Sequence, residues 1–452
     1  MSEAIAAIAT GTQVSAIGIV RLSGEGVLGM ADALFFPASG QRMSEQEDHR
    51  LCYGRLCRRD GRLLDLCLCT LSRAPNSYTG EDTVEFQCHG SPMVLRTLLE
   101  ELFALGARQA RPGEFTKRAF LNGRMSLTEA EAVADLIDAE SEEAVCNAAG
   151  QLSGALQRRM GRIYASLTEI SAHYHAVLDY PDEDIEAFTL ARYRGTVEAA
   201  LEDLERLLGT FDRGRLLNAG IPTVIVGRPN AGKSSLLNAL LGYDRAIVTA
   251  VPGTTRDTIE ERLHLGGLCL RLTDTAGIRE TGDEVERLGV ERSRAALEQA
   301  ELVIAVVDGS RDRGGEDREI LRAAEGAKKA LVVLSKKDLG TVTERVETCL
   351  SVIPVSNVTG EGIEELEKAI AALFPLPEVP AGEILTNTRQ RDALGRAAES
   401  LRAALTAMGE GCTPDIVLTE TETAMAALGE LSGRTVREDV TERIFQRFCV
   451  GK

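Results

Sequence analysis

Apolar and polar positions follow two textures along the chain, and the texture changes three times. In residues 1–124, short β-branched runs such as Ala16-Ile17-Gly18-Ile19-Val20 and Thr83-Val84-Glu85-Phe86 are set off by turn glycines, which predicts strands mixed with helices in an α+β unit. From Ser126 to about Asn218 the pattern is helical, rich in Ala, Leu, Glu and Arg. It opens on Ser126-Leu127-Thr128-Glu129, a helix start with a capping box, and breaks at Tyr180-Pro181-Asp182-Glu183-Asp184. The next stretch has the α/β alternation. The β-branched run Ile221-Pro222-Thr223-Val224-Ile225-Val226 precedes the helix-forming apolar run 235–241, and strand-like segments follow at 268–273, at 330–334 and before Ser356. After Pro375-Leu376-Pro377 and Pro380, helical texture resumes through 389–408 and 419–448. The simplest architecture is an α/β domain at 219–376 inserted into one helical domain, whose halves at 125–218 and 377–452 flank it. Half a bundle would struggle to bury its apolar faces alone. Two independent helical domains are the alternative.

The segment between the run at 221–226 and the run at 235–241 is Gly227-Arg228-Pro229-Asn230-Ala231-Gly232-Lys233-Ser234-Ser235, a complete phosphate-binding loop in strand-to-helix context. Its glycines let backbone N–H groups and a helix N-terminus face negative charge. Lys233 reaches the β/γ-phosphates, and the Ser234 hydroxyl suits Mg²⁺. The expected partners follow in order. Asp274-Thr275-Ala276-Gly277 reads as the second metal-binding segment of a P-loop nucleotidase, and the loop Val251-Pro252-Gly253-Thr254-Thr255-Arg256-Asp257 as a first switch, whose paired threonine can offer a hydroxyl to Mg²⁺. Further on, Ser335-Lys336-Lys337-Asp338 and Ser356-Asn357 resemble the guanine-reading segments of translation-factor-like GTPases. In that resemblance Asp338 accepts from the guanine N1–H and exocyclic amine, which adenine cannot reproduce. Ser335 stands where the pattern Asn-Lys-x-Asp has asparagine, so the tie between this loop and the P-loop is expected to be weaker. Asn357 replaces the usual alanine.

Hydrolysis shows a second departure. The residue after Gly277 is Ile278, which cannot orient a water as the glutamine of Ras-like proteins does. Candidates nearby are Arg279, Glu280, Asp283, Glu284 and Glu286, with Arg256 and Asp257 on the first switch loop, and no arginine finger can be assigned.

The segments Ala74-Pro75-Asn76-Ser77-Tyr78-Thr79-Gly80-Glu81-Asp82, 111–124, Asp274-Thr275-Ala276-Gly277-Ile278-Arg279-Glu280 and the terminal Phe448-Cys449-Val450-Gly451-Lys452 together resemble the bacterial MnmE (TrmE) tRNA-modification GTPases over essentially the whole chain. The resemblance implies a multidomain α/β plus α protein: an N-terminal α+β folate-binding and dimerisation domain at 1–124, a discontinuous helical domain, and a Ras-like P-loop G domain inserted in it. It implies a K⁺ site formed by Asn230 and the loop Thr249-Ala250-Val251-Pro252-Gly253-Thr254, with the ion taking the place of an arginine finger. Mg²⁺ would lie on Ser234 and Thr255, and Glu286 would position the water. A 5,10-methylene- or 5-formyl-tetrahydrofolate would lie on Arg21, Glu85, Arg124 and Lys452, and Cys449 becomes a candidate for the modification chemistry. This N-terminal loop, Thr10-Gly11-Thr12-Gln13-Val14-Ser15, lacks the Pro-Gly-Arg-Gly usual in relatives. The implied partners are a second copy through the N-terminal domain, a transient G-domain pair, the MnmG (GidA) flavoprotein carrying FAD, and tRNA. The implied activity is K⁺-dependent GTP hydrolysis coupled to placing a carboxymethylaminomethyl or aminomethyl group at C5 of the wobble uridine. A ribosome-assembly or RNA-chaperone switch without covalent product, and a folate-binding regulator, are the alternatives.

Composition narrows this picture. The chain has 452 residues and a formal charge of −18, and 44% of its residues are hydrophobic. Residues 1–124 balance their charges, whereas 125–452 set 37 basic residues against 55 acidic ones, so a nucleic-acid partner needs a local basic patch or a second protein. Ten cysteines without C-x-x-C pairs, and no apolar run of about 18 residues, predict a reduced cytosolic setting and no membrane span. Most of the cysteines read as small core hydrophobes, and Cys88-His89 alone is too little for zinc. A buried tail position is the alternative reading of Cys449.

Overall fold

The structure is a computed structural model that describes residues 2–179, 190–242, 261–265, 267–272, 297–312, 314–340, 346–375, 379–431, 444–446 and 448–451. The chain forms two compact units: 1–134 with 151–181 and 414–452, and 135–150 with 182–413.

The first unit is built on a seven-stranded sheet. Its strands are β1 (Ile5–Ile8), β2 (Ile17–Ser23), β3 (Phe35–Pro37), β4 (Cys52–Cys57), β5 (Leu63–Ser72), β6 (Thr83–His89) and β7 (Arg108–Gln109), in the order β3-β4-β5-β6-β2-β1-β7. All neighbours are antiparallel except β1 and β7. The period of two sorts the side chains. Val20, Leu22, Val84, Phe86, Cys69 and Leu71 face a core covered by the helices Val27–Leu34 and Pro92–Ala104, while Arg21, Glu85, Gln87 and Thr70 lie on the opposite face. Cys52, Cys67, Cys69 and Cys88 are buried in that core, as small apolar side chains are.

The capping box appears where the sequence has it. The Ser126 N–H donates to Glu129 Oε2 at 2.6 Å, and the Glu129 N–H donates to Ser126 Oγ at 3.3 Å, opening the helix Leu127–Asp138. The long helix Ala155–Asp179 packs on Pro414–Leu431, on the far side of the inserted domain in sequence. The expected helix through Phe448 does not reach that residue. Phe448 sits at a bend, its N–H donating to the Phe445 carbonyl, and Val450 bridges to Pro112, with Gly113 and Gly451 at left-handed φ values that let the tail lie against the domain. The expected break at Tyr180–Asp184 lies outside the described residues.

The second unit holds a six-stranded sheet: β8 (Ile221–Val226), β9 (Glu261–Leu265), β10 (Leu268–Leu272), β11 (Leu302–Asp308), β12 (Ala330–Ser335) and β13 (Val352–Pro354), in the order β13-β12-β11-β8-β10-β9. It is parallel except for the β9-β10 hairpin, and the near-continuous apolar runs of β11 and β12 fit strands buried on both faces. The unit's helical part joins both flanks of the insertion. The helix Leu190–Leu208 buries Tyr193, Val197, Ala200, Leu204 and Leu207 against Thr388–Gly409, which offers Ala393, Leu394, Ala397, Leu401 and Ala404.

A buried asparagine closes this junction. Asn147 Oδ1 accepts from the Gly382 N–H at 2.9 Å and the Ile384 N–H at 3.3 Å, and its Nδ2 donates to the Ile384 carbonyl at 3.1 Å. Asn147→Ala would strand three backbone groups away from water, and we expect a loss of about 3 kcal/mol in chemical denaturation of the full chain. A loss below about 0.5 kcal/mol would show that water satisfies these groups in the variant.

Candidate functional site

The C-terminal ends of the parallel strands converge on one edge of the second sheet, the usual ligand edge of an open α/β sheet. β8 leads into the loop 227–232, and the helix Lys233–Gly242 leaves it, so the loop's N–H groups and the helix N-terminus face the same space. Asn230 takes φ 62°, a left-handed conformation that asparagine tolerates better than most residues. Its side chain and those of Ser234 and Ser235 are exposed, whereas Ala231 is buried beneath them. Lys233 Nζ donates to the carbonyls of Gly227 at 2.7 Å and Arg228 at 2.9 Å, and burial lowers its pKa from the ordinary lysine value.

Two more loops reach this edge. Beyond β12, Lys336 adopts φ 61° and its ammonium meets Asp308 at 2.6 Å. Burial alone would raise the Asp308 carboxyl. The Lys336 ammonium and the Ser310 hydroxyl and N–H outweigh it and hold the group below its usual range. Beyond β13, the Ser356 hydroxyl donates to Asp338 Oδ1 at 2.7 Å and fixes the carboxylate, while Lys337 pairs with Glu361. Ser335 is fully buried, and its hydroxyl lies 2.5 Å from the Ala231 carbonyl. Serine therefore reaches the P-loop, with one hydroxyl where the usual asparagine has an amide. Asn357 reaches it too, donating from Nδ2 to the Gly232 carbonyl at 3.3 Å. So Asn230 to Ser235, Ser335 to Asp338, Ser356 and Asn357 share one edge. Thr249, Ala250, Val251, Pro252, Gly253, Thr254, Thr255, Arg256, Asp257, Asp274, Thr275, Ala276, Gly277, Arg279 and Glu286 lie outside the described residues.

The first unit carries a cleft of about 680 Å³ on the outer face of its sheet. Glu85 and Arg124 line it with His49, Asn76, Tyr78 and Gln87, so its wall is largely polar and open to solvent. Arg21 stands opposite Glu85 across β2 and β6, and its Nε donates to Glu85 Oε1 at 2.7 Å, so the two candidate residues hold each other. The Arg21 guanidinium also lies 5.5 Å from the Tyr78 ring centre and 5.7 Å from that of Phe115. The chain's tail arrives at the same group: the Gly451 carbonyl lies 3.5 Å from an Arg21 terminal nitrogen, and the Gly113 N–H donates to the Cys449 carbonyl at 3.4 Å. A Cβ at Gly451 would run into the Ile8 carbonyl oxygen, and its φ of 103° already requires glycine. Cys449 is exposed, not a buried tail cysteine, and Lys452 lies outside the described residues. Tyr78 was readable only as part of the motif 74–82. His49 and Gln87 carried no local signal. Asp65 and Cys67 also come within 4.8 Å of Cys88, a grouping that the sequence around Cys88 does not reveal.

A parallel sheet with a P-loop and two base-side loops at one edge, carried on helices that flank it in sequence, defines a Ras-like G domain set into a helical scaffold. Comparison with known proteins makes this specific. The MnmE helical domain family matches residues 127–449, and the family described as the GTP-binding protein TrmE N-terminus matches 4–124. Over the full chain it is 44% identical to the tRNA modification GTPase MnmE of Symbiobacterium thermophilum, covering 99% of that protein. It is 42% identical to the one from Roseiflexus castenholzii, again covering 99%, and 40% identical to the one from Clostridioides difficile, covering all of it. The chain belongs to the MnmE tRNA modification GTPase family.

One network beside the cleft gives a pH prediction. Burial raises the Glu114 carboxyl, but Arg108 at 2.6 Å, the Arg111 N–H and Arg118 at 3.1 Å overcome it and bring it down to about 2. A carboxyl depressed on folding stabilises above its unfolded value near 4.5, and that stability is lost as pH falls towards 2. In thermal unfolding, Glu114 alone should therefore account for a loss on the order of 3 kcal/mol over this window, besides what other depressed carboxyls such as Glu101 add. Glu114→Gln should be less stable at pH 7 and flatter below pH 4.5. An equal acid loss in both proteins would remove Glu114 as its source.

Proposed function

We propose that this protein is a K⁺-activated GTPase which, with a flavin-carrying MnmG-type partner, adds a carboxymethylaminomethyl or aminomethyl group to C5 of the wobble uridine in tRNA, drawing carbon from a tetrahydrofolate. The observation that carries the GTPase part is the meeting of the P-loop with the loops of Asp338 and Ser356 at one sheet edge, in a chain that belongs to the MnmE family along its whole length. Asp338, its carboxylate fixed by Ser356, accepts from guanine, and the P-loop N–H groups and Lys233 hold the phosphates.

The donor chemistry fits two hard cations. Ser234 and Thr255 would hold Mg²⁺, and Asn230, Thr249, Val251 and Thr254 would hold K⁺; exposed hydroxyl and amide oxygens at Ser234 and Asn230 are the oxygen ligands such ions take. Bound there, the ions supply positive charge against the phosphates. Glu286 positions the attacking water, since Ile278 cannot, and Arg256, Asp257 and Arg279 are the remaining candidates on the switches. A second G domain completes the site when two copies associate. The N-terminal domain, 1–124, holds the dimer together.

In the first unit the cleft takes the folate, with Glu85 and Arg124 in its wall, Arg21 behind Glu85, and Lys452 one residue beyond Gly451. The tail, laid against Pro112 and Arg21, brings Cys449 towards this region for the carbon transfer. GTP hydrolysis drives rearrangement of the helices at both ends of the insertion and does not enter the bond chemistry. The domain division that goes with this reading is 1–124, 125–218, 219–376 and 377–452. The surplus of acidic residues in 125–452 leaves tRNA capture to local basic patches and to the partner.

Potassium titration of GTP turnover tests the cation reading. Wild type should turn over much faster in K⁺ than in Na⁺. Asn230→Ala should lose that stimulation while keeping GTP affinity within about threefold. A full K⁺ response in the variant would refute the assignment.

A further inference from the structure

Two departures from the usual base-side pattern, serine at 335 and asparagine at 357, act on neighbouring carbonyls of the same loop. The Ser335 hydroxyl points at the Ala231 carbonyl at 2.5 Å, with the Val307 carbonyl at 3.2 Å, and the Asn357 amide donates to the Gly232 carbonyl at 3.3 Å. A hydroxyl has one proton, so Ser335 can satisfy one carbonyl of this corner at a time. The amide at 357 supplies the donor that a hydroxyl at 335 lacks. Its orientation is fixed by charge: turned about, Oδ1 would oppose the Gly232 carbonyl oxygen. The same space explains the pairing of residue types. A Cβ placed on Gly232 would lie 3.4 Å from Asn357 Nδ2, Ser335 Cβ and Ser335 Oγ, so both side chains crowd one small volume.

We propose that Ser335 and Asn357 form a split clamp in which the amide at 357 takes over the P-loop tie usually made by an asparagine at 335. Asn357 is then a positioning residue: its side chain holds the Ser356 loop against the phosphate loop, so that Asp338, which Ser356 orients, is set at the right distance from the phosphates. This rests on the reading that Asp338 and the P-loop hold one guanine nucleotide.

The test is a double-variant cycle on the full chain, with Kd for GTP and GDP, KM, kcat and the nucleotide-free Tm measured for each protein. Asn357→Ala should weaken both nucleotides about tenfold and raise KM similarly, leaving kcat at saturating GTP and the nucleotide-free Tm near wild type. Asn357→Asp, which keeps the shape and removes the donor, should bind at least as weakly. Ser335→Asn combined with Asn357→Ala moves the amide across the corner and should recover affinity to within about threefold of wild type. Wild-type affinity in Asn357→Asp overturns the clamp, as does a folded double variant that binds no better than Asn357→Ala. A Tm loss in Asn357→Ala that accounts for its weaker binding also overturns it. Absence of GTP turnover, or a preference for ATP, in the wild-type protein would instead overturn the reading beneath it.

Discussion

Burial of two helix stripes governs the layout of this protein. Leu190–Leu208 presents an apolar stripe at alternating four- and three-residue spacing, from Tyr193 to Leu207, and it packs on Thr388–Gly409, with small alanines at the contact. In the first unit Ala155–Asp179 meets Pro414–Leu431 in the same way. Neither partner is nearby in sequence. The chain must leave the helical scaffold, complete a whole α/β domain and return, so the G domain is held at both ends. Asn147, buried against 382–384, adds hydrogen-bond specificity to what apolar packing stabilises without direction.

That layout gives the nucleotide edge its mechanical meaning. A domain tethered at one end could change shape without moving its neighbours. A domain with both ends in a bundle has packed helices at both of them, and packed helices interdigitate and do not deform smoothly. At the edge itself, Ser335 and Asn357 couple the base-side loops to the P-loop through the consecutive carbonyls of Ala231 and Gly232.

Much of this was legible in the sequence, for local reasons. The run at 221–226, its glycine loop and the following helix share one continuous segment, and each carries a periodicity or a φ requirement that short-range physics fixes. The capping box at Ser126 is likewise local. What was not legible depends on contacts across the chain. That the Ser335 hydroxyl meets the Ala231 carbonyl shows only once β11 and β12 bring it there. Arg21 and Glu85 read as two ligands for one molecule until strand register sets them opposite each other, 64 residues apart, as an ion pair. The helical pattern read through Phe448 stops short of that residue, and the tail beyond it is held by Pro112, Gly113 and the fit of Gly451 under Ile8. Gln87 reaches the cleft by strand pairing, and His49 by a turn whose N–H donates to the Leu71 carbonyl, contacts that no window of sequence records.

Nucleotide turnover in this scaffold serves the modification of tRNA. Nucleoside analysis of tRNA from a strain lacking the protein, complemented by wild type or by Lys233→Ala, tests it most directly. The account predicts that the C5-modified wobble uridines disappear, return with wild type and stay absent with Lys233→Ala. Unchanged wobble uridines in the deletion strain would contradict it.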